Sequence, residues 1–210
     1  MKNISRVAGQ TSGVNQRFYY TLAANLPDEI LVEGVTIVSD LQLAEGTLFN
    51  FFEATQFSPE LDEPSDDDVH GHFYNNNFSG FVAGHTPELA EAMLMLKGKR
   101  VVVLYQDMDG QLKLIGDKEH PLVFECKYSS GNQPGQRKGY RFSFKGKSRN
   151  PAYFYSGPFN VAEEGTIAPP VVVGGEAVRM VDTRGNLIAS IPAGKTIIIR
   201  SGFKLTYQIK

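Results

Sequence analysis

The chain of 210 residues has one cysteine, Cys126. That excludes an intrachain disulfide and a cysteine-built zinc cluster together. Its setting, LVFECKY, reads as a strand, where a cysteine serves as a small buried hydrophobe. Long apolar runs are also missing, since nothing approaches the roughly 18 residues of a membrane span. The start, MKNISRVAGQTSG, carries basic residues without the apolar segment of a signal peptide. No membrane partner is expected, and synthesis and assembly are expected in the cytoplasm. A charge excess is absent too. A net charge of −2 gives no global attraction to nucleic acid or an anionic membrane, so such binding would rest on a local patch.

Signatures of catalysis are equally scarce. There is no G-x-S-x-G, and the glycines of VVVGGEAV neither match G-x-G-x-x-G nor open a helix. Paired carboxylates occur only inside a solvated acidic run. Nothing in this set argues for an enzyme, and no cofactor is expected.

What is present suits a β-rich fold. Hydrophobic residues make up 41% of the chain, with 14 Phe and 9 Tyr, enough for a real core. The segments RFYYTLA, ILVEGVTIV, GTLFNFFEA and HFYNNNFSGFVAG are aromatic and β-branched and are broken by Pro, Gly and Asp clusters, as strands and turns are. One helix is expected over 86–97. Thr86 can cap it, Pro87 suits its first position, Glu88 complements the dipole and Gly98 ends it. Leu89, Met93 and Leu96 would share its buried face, with Ala90 and Leu94 beside them.

The stretch VVVLYQDMDGQLKLIG, residues 101–116, tests a metal reading against a structural one. Aligning Gly110 with the glycine of a calcium loop puts Asp107 and Asp109 at two ligand positions, but Tyr105 and Gly116 fall where the terminal ligands belong. A hairpin turning at Asp109-Gly110 accounts for more of the residues. The histidines offer a second metal candidate. His70 and His72 are two apart, so on a strand they would share a face beside the DDD run, but the segment lacks a supporting shell.

Residues 121–128 and 139–145 read as two more strands joined by SSGNQPGQRKG. The Pro-containing stretch 156–170 looks like a linker, with the main domain taken as 14–159, the linker proper as 160–170 and a flexible arm as 1–13. Residues 171–210 read as a small β module of four short strands, near the lower size limit for independent folding.

Two charge runs stand out. ELDEPSDDD holds six acids in nine residues, Glu60, Asp62, Glu63, Asp66, Asp67 and Asp68, and reads as a long exposed loop. QRKGYRFSFKGKSRNP holds six bases, Arg137, Lys138, Arg141, Lys145, Lys147 and Arg149. Strand alternation would put Arg141, Ser143 and Lys145 on one face and Phe142 and Phe144 on the other. With the rings in the core, the basic face meets solvent or an acidic partner. These twelve residues are therefore candidate subunit-interface patches, meeting head to tail between identical chains.

The order of features over residues 13–159 resembles structural proteins of tailed bacteriophages and prophages, tail-tube-like subunits above all. It runs from an N-terminal arm through strands and a long loop to a further strand, the helix at TPELAEAMLMLKG, RVVVLYQDMDGQLKLIG and a strand pair around GYRFSFKG. The resemblance implies two packed antiparallel β-sheets, as a sandwich or barrel, with one flanking helix. It also implies homo-oligomeric rings, hexameric in such proteins, stacked so that loops and arms bridge layers. Residues 171–210 would match the small external β domain that some of them carry. The implied location is the virion, with other virion proteins as partners and nucleic acid met only indirectly in a tube lumen. Tail tube, tail terminator and other virion components all stay within the resemblance. A different class, a β-rich module binding carbohydrate or single-stranded nucleic acid, would need Tyr140, Phe142 or Phe144 open for stacking. A hydrolase would need a concave pocket with convergent titratable groups.

Overall fold

The computed structural model describes residues 11–68, 71–133, 135–162, 165–167, 178–181 and 187–191. Contacts divide the chain into two units, Met1–Pro169 and Pro170–Lys210. The first opens with β1 (Arg17–Leu22), a short 3-10 turn (Ala23–Asn25), β2 (Val32–Glu33), β3 (Thr36–Ile37) and β4 (Asn50–Glu53). Then come β5 (Glu60–Asp62), β6 (Ser65–Asp68), β7 (Gly71–Ala83) and α1 (Pro87–Leu96). It closes with β8 (Arg100–Gln106), β9 (Leu112–Ile115), β10 (Leu122–Ser129), β11 (Gly139–Ser148), β12 (Tyr153–Tyr155), β13 (Phe159–Val161) and β14 (Gly165–Ile167). The fold is mainly β with one helix among the described residues. Among the described residues the strand pairings are antiparallel except β3 with β12, which is parallel, as is the single bridge between Phe49 and Val161.

β8 organises the sheet. Its run RVVVLYQ is apolar on both faces, as a strand buried on both sides must be. Val101, Val103 and Tyr105 enter one core, while Val102 and Leu104 enter another. One edge of β8 pairs with β1, which in turn pairs with β4. The other edge forks. The first half pairs with β10, leading on to β11, β7 and β5; the second half pairs with β9, leading on to β12, β3 and β2. The first core is built around Phe18, whose ring lies 4.8 Å from both Phe52 and Phe78 and within 5.8 Å of Phe142 and Phe144. Gly80 permits this packing, since a Cβ there would meet Phe142 Cζ at 2.6 Å.

The hairpin reading of residues 101–116 holds. Asp107 N–H bonds to the Gln111 carbonyl at 2.9 Å and Gly110 turns at φ 88°. Asp107 is committed to Lys113 Nζ at 2.6 Å. α1 is capped as expected, Thr86 Oγ1 accepting from the Leu89 N–H at 3.3 Å. Met93 and Leu96 are buried, but Leu94 is 72% exposed, a correction to its placement beside the core face. It follows Met93 by a single position, about 100° around the helix, which carries it out of the contact.

Two further expectations are corrected. The acidic run is not a loop. β5 and β6 pair with β7 in register, Leu61 with Phe78 and Asp66 with Phe73. The charges had argued against a central strand, and these strands lie at the sheet's border, where charge is tolerated and blocks unwanted pairing. Nor is 160–170 simply a linker. β13 pairs with β14, and Phe159 and Val161 are buried in the second core, which moves the boundary to Pro169. At the end of the expected N-terminal arm, Gly13 accepts from the Met108 N–H, and Val14, the first residue of the main domain, is buried; residues 1–10 lie outside the described residues.

In the second unit, β15 (Val178–Val181) pairs antiparallel with β16 (Leu187–Ile191). The remaining strands and turns expected in 171–210 lie outside the described residues.

Candidate assembly surface

The branch β10–β11–β7–β5 has one face on the first core and one face turned outward. In β11, Tyr140, Phe142 and Phe144 are buried and Arg141 and Lys145 are exposed, following the alternation read from the sequence. The outward face can be followed row by row along β7, using strand register. At the Ala83 end, Lys127 stands directly opposite Arg141, beside Phe81. The next row holds Glu125, Ser143, Ser79 and Glu60, and the one after it Val123, Lys145, Asn77 and Asp62. Lys147 then lies opposite Asn75. The pairing of β11 with β7 ends at Ser148 and Tyr74.

Beyond Tyr74 the ribbon continues with β6 and β7 alone. Asp66 is opposite Phe73, Asp67 opposite His72 and Asp68 opposite Gly71. Asp67 Oδ1 lies 2.6 Å from His72 Nδ1, and His72 packs edge-on to Tyr74 at 5.1 Å. His70 lies outside the described residues, so the paired-histidine idea falls there. Among the described residues no group of three His, Cys, Asp or Glu is placed to hold a metal ion.

The twelve candidate residues do not form two simple patches. Asp62, Asp66 and Asp67 are exposed on the border strands, and Glu60 is exposed within 3.4 Å of Ser79 Oγ. Glu63 instead turns inward, its carboxylate accepting the Ala152 N–H at 2.9 Å, and burial raises its pKa. Lys145 is occupied by Glu125 at 3.4 Å. Arg149 lines a cleft with Asp117, His120 and Tyr153, away from Arg141. Lys138 and Lys147 are exposed, and Arg137 joins Arg141 and Glu60 around a depression over Phe142.

Two cations that the sequence reading omitted complete the basic end. Lys127 and Lys97 line a shallow, open depression with Arg141 and Lys145. Lys127 was legible in the alternation of VFECKY, where it shares a face with Val123 and Glu125. Lys97 follows the helix and reaches this place through the Gly98 N–H bond to the Phe124 carbonyl, a contact the local sequence does not announce.

The cleft around Asp117 gathers several titratable groups, and those at its centre are committed to a turn. Asp117 Oδ1 accepts the N–H groups of Glu119 and His120 at 2.8 and 2.6 Å and faces His120 Nδ1 at 3.2 Å, while Lys118 pairs with Asp28. Cys126 is half-buried against the first core, and burial pushes its thiol up, away from the reactive thiolate.

A third feature lies at the opposite border. β2 has one strand neighbour among the described residues, β3, and around this pair Leu31, Val35 and Val38 are 63%, 46% and 53% exposed. No protein-family model, no curated protein and no solved structure matches this chain.

Proposed function

We propose that this protein is a noncatalytic, self-assembling structural component of a tailed-phage or prophage virion, a tail-tube-like subunit that forms rings with copies of itself. The reading rests on the resemblance in the order of its elements and on one structural observation, the open apolar border at β2 and β3. A strand border that is both unpaired and apolar is an invitation to pairing, and proteins that stay single blunt it with charge or cover it. At this border β2 itself carries one exposed acid, Glu33, while the side chains around it, Leu31, Val35 and Val38, are apolar and exposed. Copies that add strand to strand would satisfy the free backbone groups and cover Leu31, Val35 and Val38.

The competing reading as a stacking platform for bases or sugars loses its main support, because Tyr140, Phe142 and Phe144 are buried in the first core. The partners proposed are further copies of this chain and other virion proteins.

Negative-stain imaging of the purified protein, with light scattering over a range of concentrations, tests the proposal. Rings or tubes are expected, and Val35→Lys with Val38→Lys should return the protein to a single particle with its circular dichroism unchanged. A wild-type protein that stays single at every concentration overturns it.

A further inference from the structure

One buried side chain of the first unit is left with an unanswered polar atom. Asn76, on β7, is 3% exposed, and among the described residues no donor reaches its Oδ1. Its orientation is fixed by Ser148. The Ser148 hydroxyl donates to the Asn150 carbonyl at 2.6 Å, and a carbonyl has no hydrogen to give back. Ser148 Oγ can therefore only accept from Asn76, so the 2.9 Å contact between them belongs to the amide Nδ2. That turns Oδ1 the other way. An acceptor left bare at this depth has lost its water without replacement.

Strand register decides what stands in front of it. Asp62 pairs with Asn77 and Ser65 with Tyr74, a single register that places Glu63 directly opposite Asn76. Residues directly opposite in an antiparallel pair share a face, with Cβ atoms about 4.5–5.5 Å apart. On its other side Asn76 faces Gly146, where a Cβ would meet the Pro121 carbonyl at 2.8 Å, so no side chain fits there. Glu63 uses one oxygen, Oε1, to accept the Ala152 N–H at 2.9 Å. The carboxyl and the amide thus converge on one segment, 148–152. The charged and titratable groups around Glu63 are few. Lys113 on β9 is engaged by Asp107 at 2.6 Å, and Tyr105 on β8 keeps its proton, its pKa raised by burial. Arg149 turns to the Asp117 cleft, and Asp62 and Asp66 are exposed on the outward face. Burial outweighs Lys113 and raises the Glu63 pKa.

We infer that the protonated Glu63 carboxyl donates to Asn76 Oδ1, and that this bond is a pH-operated latch holding the border strands β5 and β6 to β7. With it closed, a hydrogen-bonded chain runs from Glu63 through Asn76 and Ser148 to Asn150, tying the border to the end of β11. The folded-state pKa is raised, so the latch is fully closed below the ordinary glutamate range and opens as pH rises through the raised value. Once the proton has left, a carboxylate and an amide oxygen face each other with no hydrogen between them. The border strands then loosen and bare the backbone groups of the β7 edge. The device works within one copy and does not rest on the self-assembly proposed above.

Two measurements on the full chain test the latch. The first is the Glu63 carboxyl titration, followed by NMR in the wild type and in Asn76→Leu, which has the same branched shape and no polar atom. Loss of the acceptor should lower the Glu63 pKa, because the bond forms only to the protonated acid. A pKa that rises or stays the same in Asn76→Leu, as burial alone or an amide N–H donated to the carboxylate would give, overturns the inference. The second is hydrogen exchange of the backbone amides that join β5 and β6 to β7. It is read as the ratio of wild type to Glu63→Gln at each pH, so that the intrinsic rate cancels. Glutamine carries a donor for Asn76 and an acceptor for Ala152 at every pH. Relative protection of the wild-type border should fall at least about fivefold across the Glu63 titration, while the amides between β2 and β3 keep a constant ratio. A ratio that stays flat, or that falls equally at both borders, removes the latch even where Glu63 titrates high. This second measurement needs no change at Asn76, so it stands even where Asn76→Leu does not fold.

Discussion

Glu63 and its neighbours in the acidic run differ only in which way the chain turns, yet they do opposite work. Asp62 and Asp66 face water on the border strands. Glu63 sits between β5 and β6, next to Pro64, whose carbonyl accepts the Asn75 N–H while its ring nitrogen offers no donor. The break in the ladder lets Glu63 reach under the sheet to the Ala152 N–H. Burial is the largest influence on its carboxyl and raises its pKa above the ordinary glutamate value, partly offset by that hydrogen bond and by Lys113. The folded protein therefore holds the proton more tightly than the unfolded chain. Stability from this group is greatest below the ordinary glutamate range and is lost as pH rises through the raised value. Glu63→Gln keeps an acceptor for Ala152 and removes the buried charge. Denaturant titrations at several pH values should find the variant more stable than wild type at neutral pH, with a flatter decline just above the ordinary glutamate range. An unchanged slope would show that Glu63 is solvated as freely as its neighbours.

At the scale of elements, α1 and β8 mark where the sequence was legible and where it was not. β8 was plain because a strand buried on both faces is a continuous apolar run, and the helix ends were plain because caps act on backbone groups within a few residues. The faces of the helix were harder. Leu94 and Met93 are chemically alike, and the helical step of about 100° between them, together with the side on which the first core lies, decides that Met93 is buried and Leu94 is not. The border strands were missed for a related reason. Six acids in nine residues oppose strand formation locally, and their pairing with β7 is a long-range contact that no local pattern encodes. The basic face of β11 was legible through its alternation, whereas Lys97 joined it only through tertiary packing. Met93→Ala should cost about 2–5 kcal/mol by leaving a cavity, while Leu94→Gln should stay within about 0.5 kcal/mol of wild type. Chemical denaturation of the two variants checks this, and equal costs would mean that a neighbour covers Leu94 in solution.

The whole molecule is asymmetric in how its two units can sustain themselves. The apolar border at β2 and β3, on which the proposed assembly rests, lies in Met1–Pro169. That unit has two apolar cores joined through β8, and Val161 belongs to one of them, so a cut after Phe159, the earlier apparent boundary, would remove a buried side chain and the strand that pairs with β13. Pro170–Lys210 is of a size at which burial rarely offsets chain entropy without further help. A chain ending at Pro169 should therefore melt cooperatively at the midpoint of the full protein's main transition, and should assemble with the same salt dependence. Pro170–Lys210 made alone should show no cooperative transition by calorimetry. Ending the chain at Asn160 instead should lower the midpoint, because Val161 then leaves the second core and β13 loses its partner β14. If the Pro169 form melts early or stays single where the full chain assembles, the second unit takes part in the contacts between copies.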